Sequence, residues 1–471
     1  MSNRVGILFA AVTIAALAAP QPSHAAESRA YLLTSDFSTG SMSAMDLSSR
    51  AVSTDVASVF DDAAIRVYGG LIYVINRYGA DNIQVIDPAS GYATLRQFSV
   101  GAGTNPQDIA FVSATKAYVS LYERSYIQVC NPSTGALLDT ISLAQFADAD
   151  HLPEMAKMTM VGTRLLVAIQ RLDRLNGYVP TGPGLVAVVD TQADTVLDAD
   201  PATPGVQAIQ LVGANPVTDF IPVPGTSNLW IGCAGVFGVN DGGVEAIDAV
   251  ALKDVGVVST EAQLGGDIGT VRWYNATHSY AIVSDASYNS SLVSFDPTSG
   301  AKIGTVRSPG GFSLPDCAID DRGEVLVADN GATTAGLYIY SAGTDALIAG
   351  PLNAGLPPVA IAFDTAGLLA GVGPSPKSGA ALSLAPPAPN PAHAPVSLSV
   401  HLAAAGQLEV AVYDLSGRKV ATLERGDHAA GDVAMHWALD DANGRRVHAG
   451  IYLVQASAAG KHSTRRVVVL P

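Results

Sequence analysis

Apolar residues in this chain come in short runs, broken by glycine, proline or a small polar residue, and no long stretch keeps a helical spacing. Runs of this length bounded by turn residues predict β-strands. Seven of them end in variants of one turn, Asp-Pro-x-Ser/Thr-Gly. The clearest copies are Ile83 to Gly91, Ile127 to Gly135 and Leu292 to Gly300; degraded copies centre on Asp46, Asp190, Asp248 and Ser341. The turn has a mechanism. Asp or Asn accepts local backbone N–H groups, Pro presets φ near −65°, and Gly supplies a left-handed exit. Successive turns lie 41 to 59 residues apart. Repetition at that period, with strands throughout, predicts blades of a β-propeller.

Each turn is preceded by two further strands joined by a small turn, such as Asp108 to Val112 with Lys116 to Leu121, or Thr270 to Trp273 with Ser279 to Val283. Proline sits just upstream of several pairs (Pro106, Pro153, Pro216, Pro315, Pro357). It cannot donate to a ladder, so it marks a strand's start. A short run after the turn completes four strands per unit, A to D from the axis outward. The first unit lacks strand A and begins with Tyr31 to Thr34, while a spare A strand, Val359 to Phe363, stands after the last unit. The expectation is a seven-bladed ring in which that late strand completes the first blade and removes the open edges.

Composition agrees: 46 Gly, 27 Pro and 48% hydrophobic residues suit many short buried strands with tight turns. At the start, Arg4, the apolar run Val5 to Ala19 and Ser23-His24-Ala25 form a basic, apolar and small-x-small series. This predicts a secretory signal peptide over residues 1–25 and an exported chain without a transmembrane span when mature. The net charge of −16 becomes about −17 without Arg4. That excludes nucleic acid as a natural partner and disfavours anionic membranes. Cys130, Cys233 and Cys317 fall on three units, which is no disulfide framework. They are read as buried small apolar residues, with a Cys233–Cys317 bridge as the alternative.

Residues 26–367 are assigned to the propeller and 368–396 to a Pro/Ala-rich linker, including Ala385 to Pro391. Residues 397–471 resume alternating strands, at Ser397 to Leu402, Leu408 to Leu415, Val433 to Leu439, Ile451 to Ala456 and Arg465 to Leu470. The fold class is therefore all-β, a seven-bladed β-propeller followed by a small Ig-like β-sandwich.

Two family resemblances rest on these residues. Val412-Tyr413-Asp414-Leu415-Ser416-Gly417-Arg418-Lys419-Val420, with Trp437, Asp440, Asn443-Gly444, Val447, Gly450-Ile451-Tyr452 and the ending Arg465 to Leu470, resembles FlgD-like Ig domains and the C-terminal sorting domains of type IX secretion. Pro389-Asn390-Pro391 fits as well; Ala438 departs from the small polar residue or Gly usual after the Trp. This resemblance implies secretion or surface attachment, with the secretion machinery as partner of the tail. Gly103 to Ala110 and Ile83 to Gly91 resemble the blades of YVTN or YncE-like propellers of bacterial surface and periplasmic proteins. That scaffold hosts many functions, so the resemblance implies fold.

The B–C and D–A loops share one face of a propeller. The B–C loops carry Arg77, Tyr78, Tyr122, Arg124, Arg171, Arg174, Asp285 and Tyr288. Guanidinium forks suit carboxylates or phosphates, and tyrosines stack on sugars, so these eight are the candidate ligand-binding residues for a small anionic or glycan ligand, or a surface protein. The D–A loops are expected to ring the mouth with acids: Asp61-Asp62, Asp108, Asp148, Asp150, Asp219, Asp267 and Asp316. Such oxygens suit Ca²⁺, and Asp148 to His151 with Glu154 is the dense group, although it matches no EF-hand spacing. No cofactor is implied, since zinc, phosphate-loop and Gly-x-Ser-x-Gly motifs are missing. The reading is a cell-surface or secreted non-enzymatic binding protein; the alternative is a secreted propeller hydrolase or lyase with a loop-built site.

Overall fold

The computed structural model describes residues 27–364, and beyond them 382–384 and most of 392–470. The expected signal peptide, and residues 368–381, 385–391 and 394 of the expected linker, lie outside the described residues.

Seven sheets are built on the repeat. Blade 2 is Ala63–Tyr68, Leu71–Asn76, Asn82–Asp87 and Ala93–Ser99, in order A to D. Blade 3 runs from Pro106–Ser113 to Ala136–Ser142, blade 6 from Asp267–Asn275 to Lys302–Arg307, and blade 7 from Asp316–Ile319 to Leu347–Leu352. Blade 4 begins at Met155–Val161 and blade 5 at Ile221–Pro222. Blade 1 takes its B, C and D strands from Arg29–Ser35, Gly40–Asp46 and Val52–Val59, and its A strand from Pro358–Phe363. Leu32 faces Ile361 across that closing pair. Each B and C strand is almost wholly buried, because its two faces pack on two neighbouring blades. The core is thus distributed between blades rather than gathered at a centre.

The repeated turn behaves as its chemistry dictates. Four residues after each turn's first residue, the backbone is left-handed: Arg50, Gly91, Gly135, Asp194, Leu252, Gly300 and Asp345 have φ between 54° and 79°. Only three of the seven are glycine, so the turn geometry persists where the motif has decayed. The side chains of Asp46, Asp87, Asn131, Asp190, Asp248 and Asp296 accept the backbone N–H two residues on. The left-handed residue then reaches the preceding blade: Asp194 accepts from Lys116 and Tyr118, and Asp345 from Tyr280 at 2.8 Å.

Five A strands and, on blade 5, the residue two before the A strand bring six charges to the axis in alternating order: Arg66, Asp108, Lys157, Asp219, Arg272 and Asp316, on blades 2 to 7. Arg66 grips Asp108 through two bonds of 2.7 and 2.9 Å and reaches Asp219 at 2.6 Å. Arg272 holds Asp316 at 3.0 Å and stands 3.6 Å from Asp219. Lys157 lies 4.0 Å from Asp219. The closing strand joins through the Ile361 N–H, which donates to Asp316 at 2.9 Å. Although burial pushes the Asp219 carboxyl upward, Arg66, Lys157 and Arg272 hold it below the usual range. Asp108, Asp219 and Asp316 were expected to line the mouth as free oxygen ligands. Basic partners from other blades turn them instead into counterions inside the ring.

All three cysteines are free and buried, so no Cys233–Cys317 bridge exists.

The tail is a sandwich of two antiparallel sheets. One holds Leu382–Leu384, Val396–Leu402 and Gly431–Trp437; the other holds Lys419–His428, Gly406–Asp414, Gly450–Ala458 and Lys461–Val469. Leu382–Leu384 pairs with Val400 to Leu402, which places part of the expected linker inside the sandwich. The Lys419–His428 strand escaped the sequence reading because Glu424 to Asp427 breaks its apolar alternation. Trp437 is buried in this core, packs edge-on against Tyr452 at 5.3 Å, and donates its indole N–H to the Asp440 carbonyl.

Candidate ligand-binding face

The B–C and D–A loops are held from below by buried acceptors. Asp81 takes the N–H groups of Gly103, Thr104 and Asn105 at 2.8, 3.1 and 2.8 Å. Glu261 takes those of Gly242 and Ile268, and Ser290 those of Ser313 and Leu314. A face built this way is set before any ligand arrives, which lowers the ordering cost of binding.

Blade 4 adds a small hairpin in its B–C loop, Leu172–Asp173 with Val179–Pro180, around a 3₁₀ turn capped by Asp173. Its base is pinned by Arg174, which donates to Glu154 at 3.0 Å, pairs with Glu123, and lies over the Tyr122 ring at 5.2 Å. Beside it opens a cleft of about 500 Å³ lined by Tyr78, Asn105, Tyr122, Glu123, Arg174 and Tyr178. The structure therefore brings together Tyr78, Tyr122 and Arg174 of the eight expected residues. Tyr178 was missed, because nothing in the sequence marks the hairpin that carries it back over the loops.

Arg77 and Arg124 are engaged by their own chain. Arg77 donates to Asp62 at 2.8 Å. Arg124 donates to the carbonyls of Ala102, Gly103 and Glu123. Arg171 sits at φ 57°, with its Nε buried and without a hydrogen-bond partner among the described residues. Asp285 is spent in a local turn, accepting from the N–H groups of Ser287 and Asn289 at 2.9 Å each. Tyr288 is outside the cleft and stacks on Phe237.

A wider pattern emerges on this face. The large aromatics that the described residues leave well exposed are Phe37, Tyr78, Tyr178, Phe237, Tyr288 and Phe312. All six lie in B–C or D–A loops, on blades 1, 2, 4, 5 and 6 and at the passage from 6 to 7. The exposed residues of the outer strands, such as Leu95, Leu137, Val255, Ile303 and Leu347, are aliphatic. Aromatic rings on open ground are the mark of a recognition surface.

Asp148, Asp150 and Glu154 each offer a carboxylate oxygen, all within 4.8 Å of one another, as a hard cation requires. Arg174 already places a positive charge there, on Glu154 and 3.5 Å from Asp150. A cation would compete with that guanidinium.

Burial pushes the carboxyls of Glu154 and Glu261 up to about 7. Between pH 4.5 and 7 the folded chain keeps protons that the unfolded chain has released, so these groups make stability fall as pH rises through that window and level off above it. The melting temperature is expected to drop from pH 5 to pH 8, and the Glu154→Gln, Glu261→Gln double variant to drop less. Thermal unfolding at four pH values checks this; a wild-type slope of the opposite sign contradicts it.

Comparison with known proteins places one part of the chain. Residues 392–462 match the FlgD Ig-like domain family. No curated protein matches. Among solved structures, hydrazine synthase of Kuenenia stuttgartiensis is 13% identical, over 61% of this chain and 79% of that one, with a TM-score of 0.43. Dihydro-heme d1 dehydrogenase NirN in complex with DHE is 14% identical, over 74% and 78%, at 0.44. Apo AztD from Citrobacter koseri is 12% identical, over 71% and 96%, at 0.42. At this distance the likenesses say nothing of activity.

Proposed function

We propose that this protein is an exported, non-enzymatic binding protein of the cell surface or surroundings, which takes a glycan on the loop face of its propeller. The observation that carries the reading is the confinement of exposed aromatics to that face, with three tyrosines converging on the 500 Å³ cleft. The same cleft argues for a neutral, hydroxylated ligand over an anionic one. Its guanidinium, Arg174, is already matched by Glu123, Glu154 and Asp150. The Asn105 amide N–H groups and the Glu123 oxygen not held by Arg174 are left to bond hydroxyls. Arg77 and Arg124 then serve as supports of the loops. The propeller is read as YVTN or YncE-like, and the FlgD-like tail as a type IX sorting or surface-attachment domain, with the amino-terminal segment supporting export.

Calorimetric titration with chitohexaose, cellohexaose and maltohexaose tests the binding. One of them is expected to bind, and Tyr78→Ala and Tyr178→Ala each to weaken it about tenfold, the cost of one lost aromatic contact. Affinity unchanged in both variants would reject the cleft.

A further inference from the structure

A second cavity opens on the same face, away from the tyrosine cleft, between the B–C loops of blades 5 and 6. It measures about 170 Å³, and its polar lining includes Asn240, Asp267, Ser284 and Asp285. Among the described residues, no arginine, lysine or histidine lines it. Asp267 is 4% exposed. One of its oxygens accepts the Gly238 N–H at 2.8 Å; the other has no partner among the described residues. The neighbouring charge that bears on it is another acid, Asp241. Lys302 is the cation close to the rim, its Nζ 3.9 Å from where a side chain at Gly265 would begin.

Two aromatic residues flank this lining along the chain, Phe237 next to Gly238 and Tyr288 two residues after Ala286. Phe237 and Tyr288 stack with centroids 4.7 Å apart and planes 20° apart, and both are exposed. Phe312 adjoins them: its neighbour Gly311 donates to Asn289 and accepts from the Ser290 N–H. The buried, unpartnered oxygen of Asp267 calls for a positive charge, and π faces attract a weakly hydrated one. We propose that this cavity binds an organic ammonium group, a quaternary or N-methylated amine, with Asp267 as counter-charge and Phe237 and Tyr288 as the π surface. A hydrated metal ion gains little from the rings, and a neutral sugar leaves the charges uncompensated.

Thermal unfolding of the full chain, titrated with choline chloride and with sodium chloride and glucose as controls, tests this. Choline is expected to raise the melting temperature saturably, and the controls not to. Tyr288→Ala and Asp267→Asn are each expected to weaken the response about tenfold. Asp267→Asn keeps an acceptor for Gly238, and the melting temperature without choline establishes that each variant folds. Tyr178→Ala, in the other cleft, should leave the choline response intact, which separates this proposal from the glycan reading. No saturable rise, an equal rise with sodium chloride, or a full response in both cavity variants overturns it.

Discussion

Asp108→Ala is expected to cost about 3–5 kcal/mol of folding stability, the range found when one partner of a buried ion pair is removed. Asp108 is 1% exposed. It accepts two N–H groups of Arg66 and the backbone N–H of Met158 at 2.9 Å. The substitution leaves a guanidinium with half its counter-charge and strands a main-chain donor. The effect should spread to neighbours, because Asp219 links Arg66 to Arg272 and Lys157 across the axis. Asp62→Ala makes the contrast: it also removes the partner of an arginine, but its side chain is 45% exposed, and a loss under about 1 kcal/mol is expected. Urea unfolding of both variants decides it. Equal losses would mean that the axial charges are solvated and contribute no more than a surface pair.

Ending the chain at Leu352 is expected to abolish cooperative unfolding, whereas ending it at Val372 keeps the propeller's transition. The longer variant retains the first compact unit. The shorter one loses Pro358–Phe363, the A strand of blade 1. Ala30 to Thr34 would then present an unpaired inner edge, and Asp316 would lose the Ile361 N–H. Ile361 and Phe363 also leave the apolar cluster around Leu32 and Leu326. An open edge of this kind invites aggregation. Circular dichroism melts and light scattering of the two variants report on it. A Leu352 variant that melts like the longer one would show that the ring does not need its closing strand.

How much of this was legible in the sequence depended on which residues carry local information. The turns were legible because Asp, Pro and Gly act on their own backbone, as Asp87, Pro88 and Gly91 do. The ring closure was legible because strands come in fours and one was displaced to the far end. The axial charges were misplaced to the loops. Asp108 and Asp316 each stand at or near the start of an A strand, where an acid reads as loop polarity unless its partner, 42 or 44 residues earlier on the preceding blade, is already known. The alternation of Arg66, Asp108, Lys157, Asp219, Arg272 and Asp316 was the available signal. The fate of the loop arginines was illegible for the same reason: Arg77 meets Asp62 and Arg174 meets Glu154 only through the packing of strands. Tyr78 and Tyr122 were found from their loop positions, but Tyr178 and Phe237 depend on how particular loops fold back.

The proposed binding reading requires that the loop face meets the ligand. Oxidative footprinting of the full chain, with and without the oligosaccharide that binds, measures this directly. The prediction is that Tyr78 and Tyr178 become protected while Leu137 and Leu347, on the outer strands, stay as reactive as before. Protection confined to the outer strands, with both tyrosines unchanged, would contradict it.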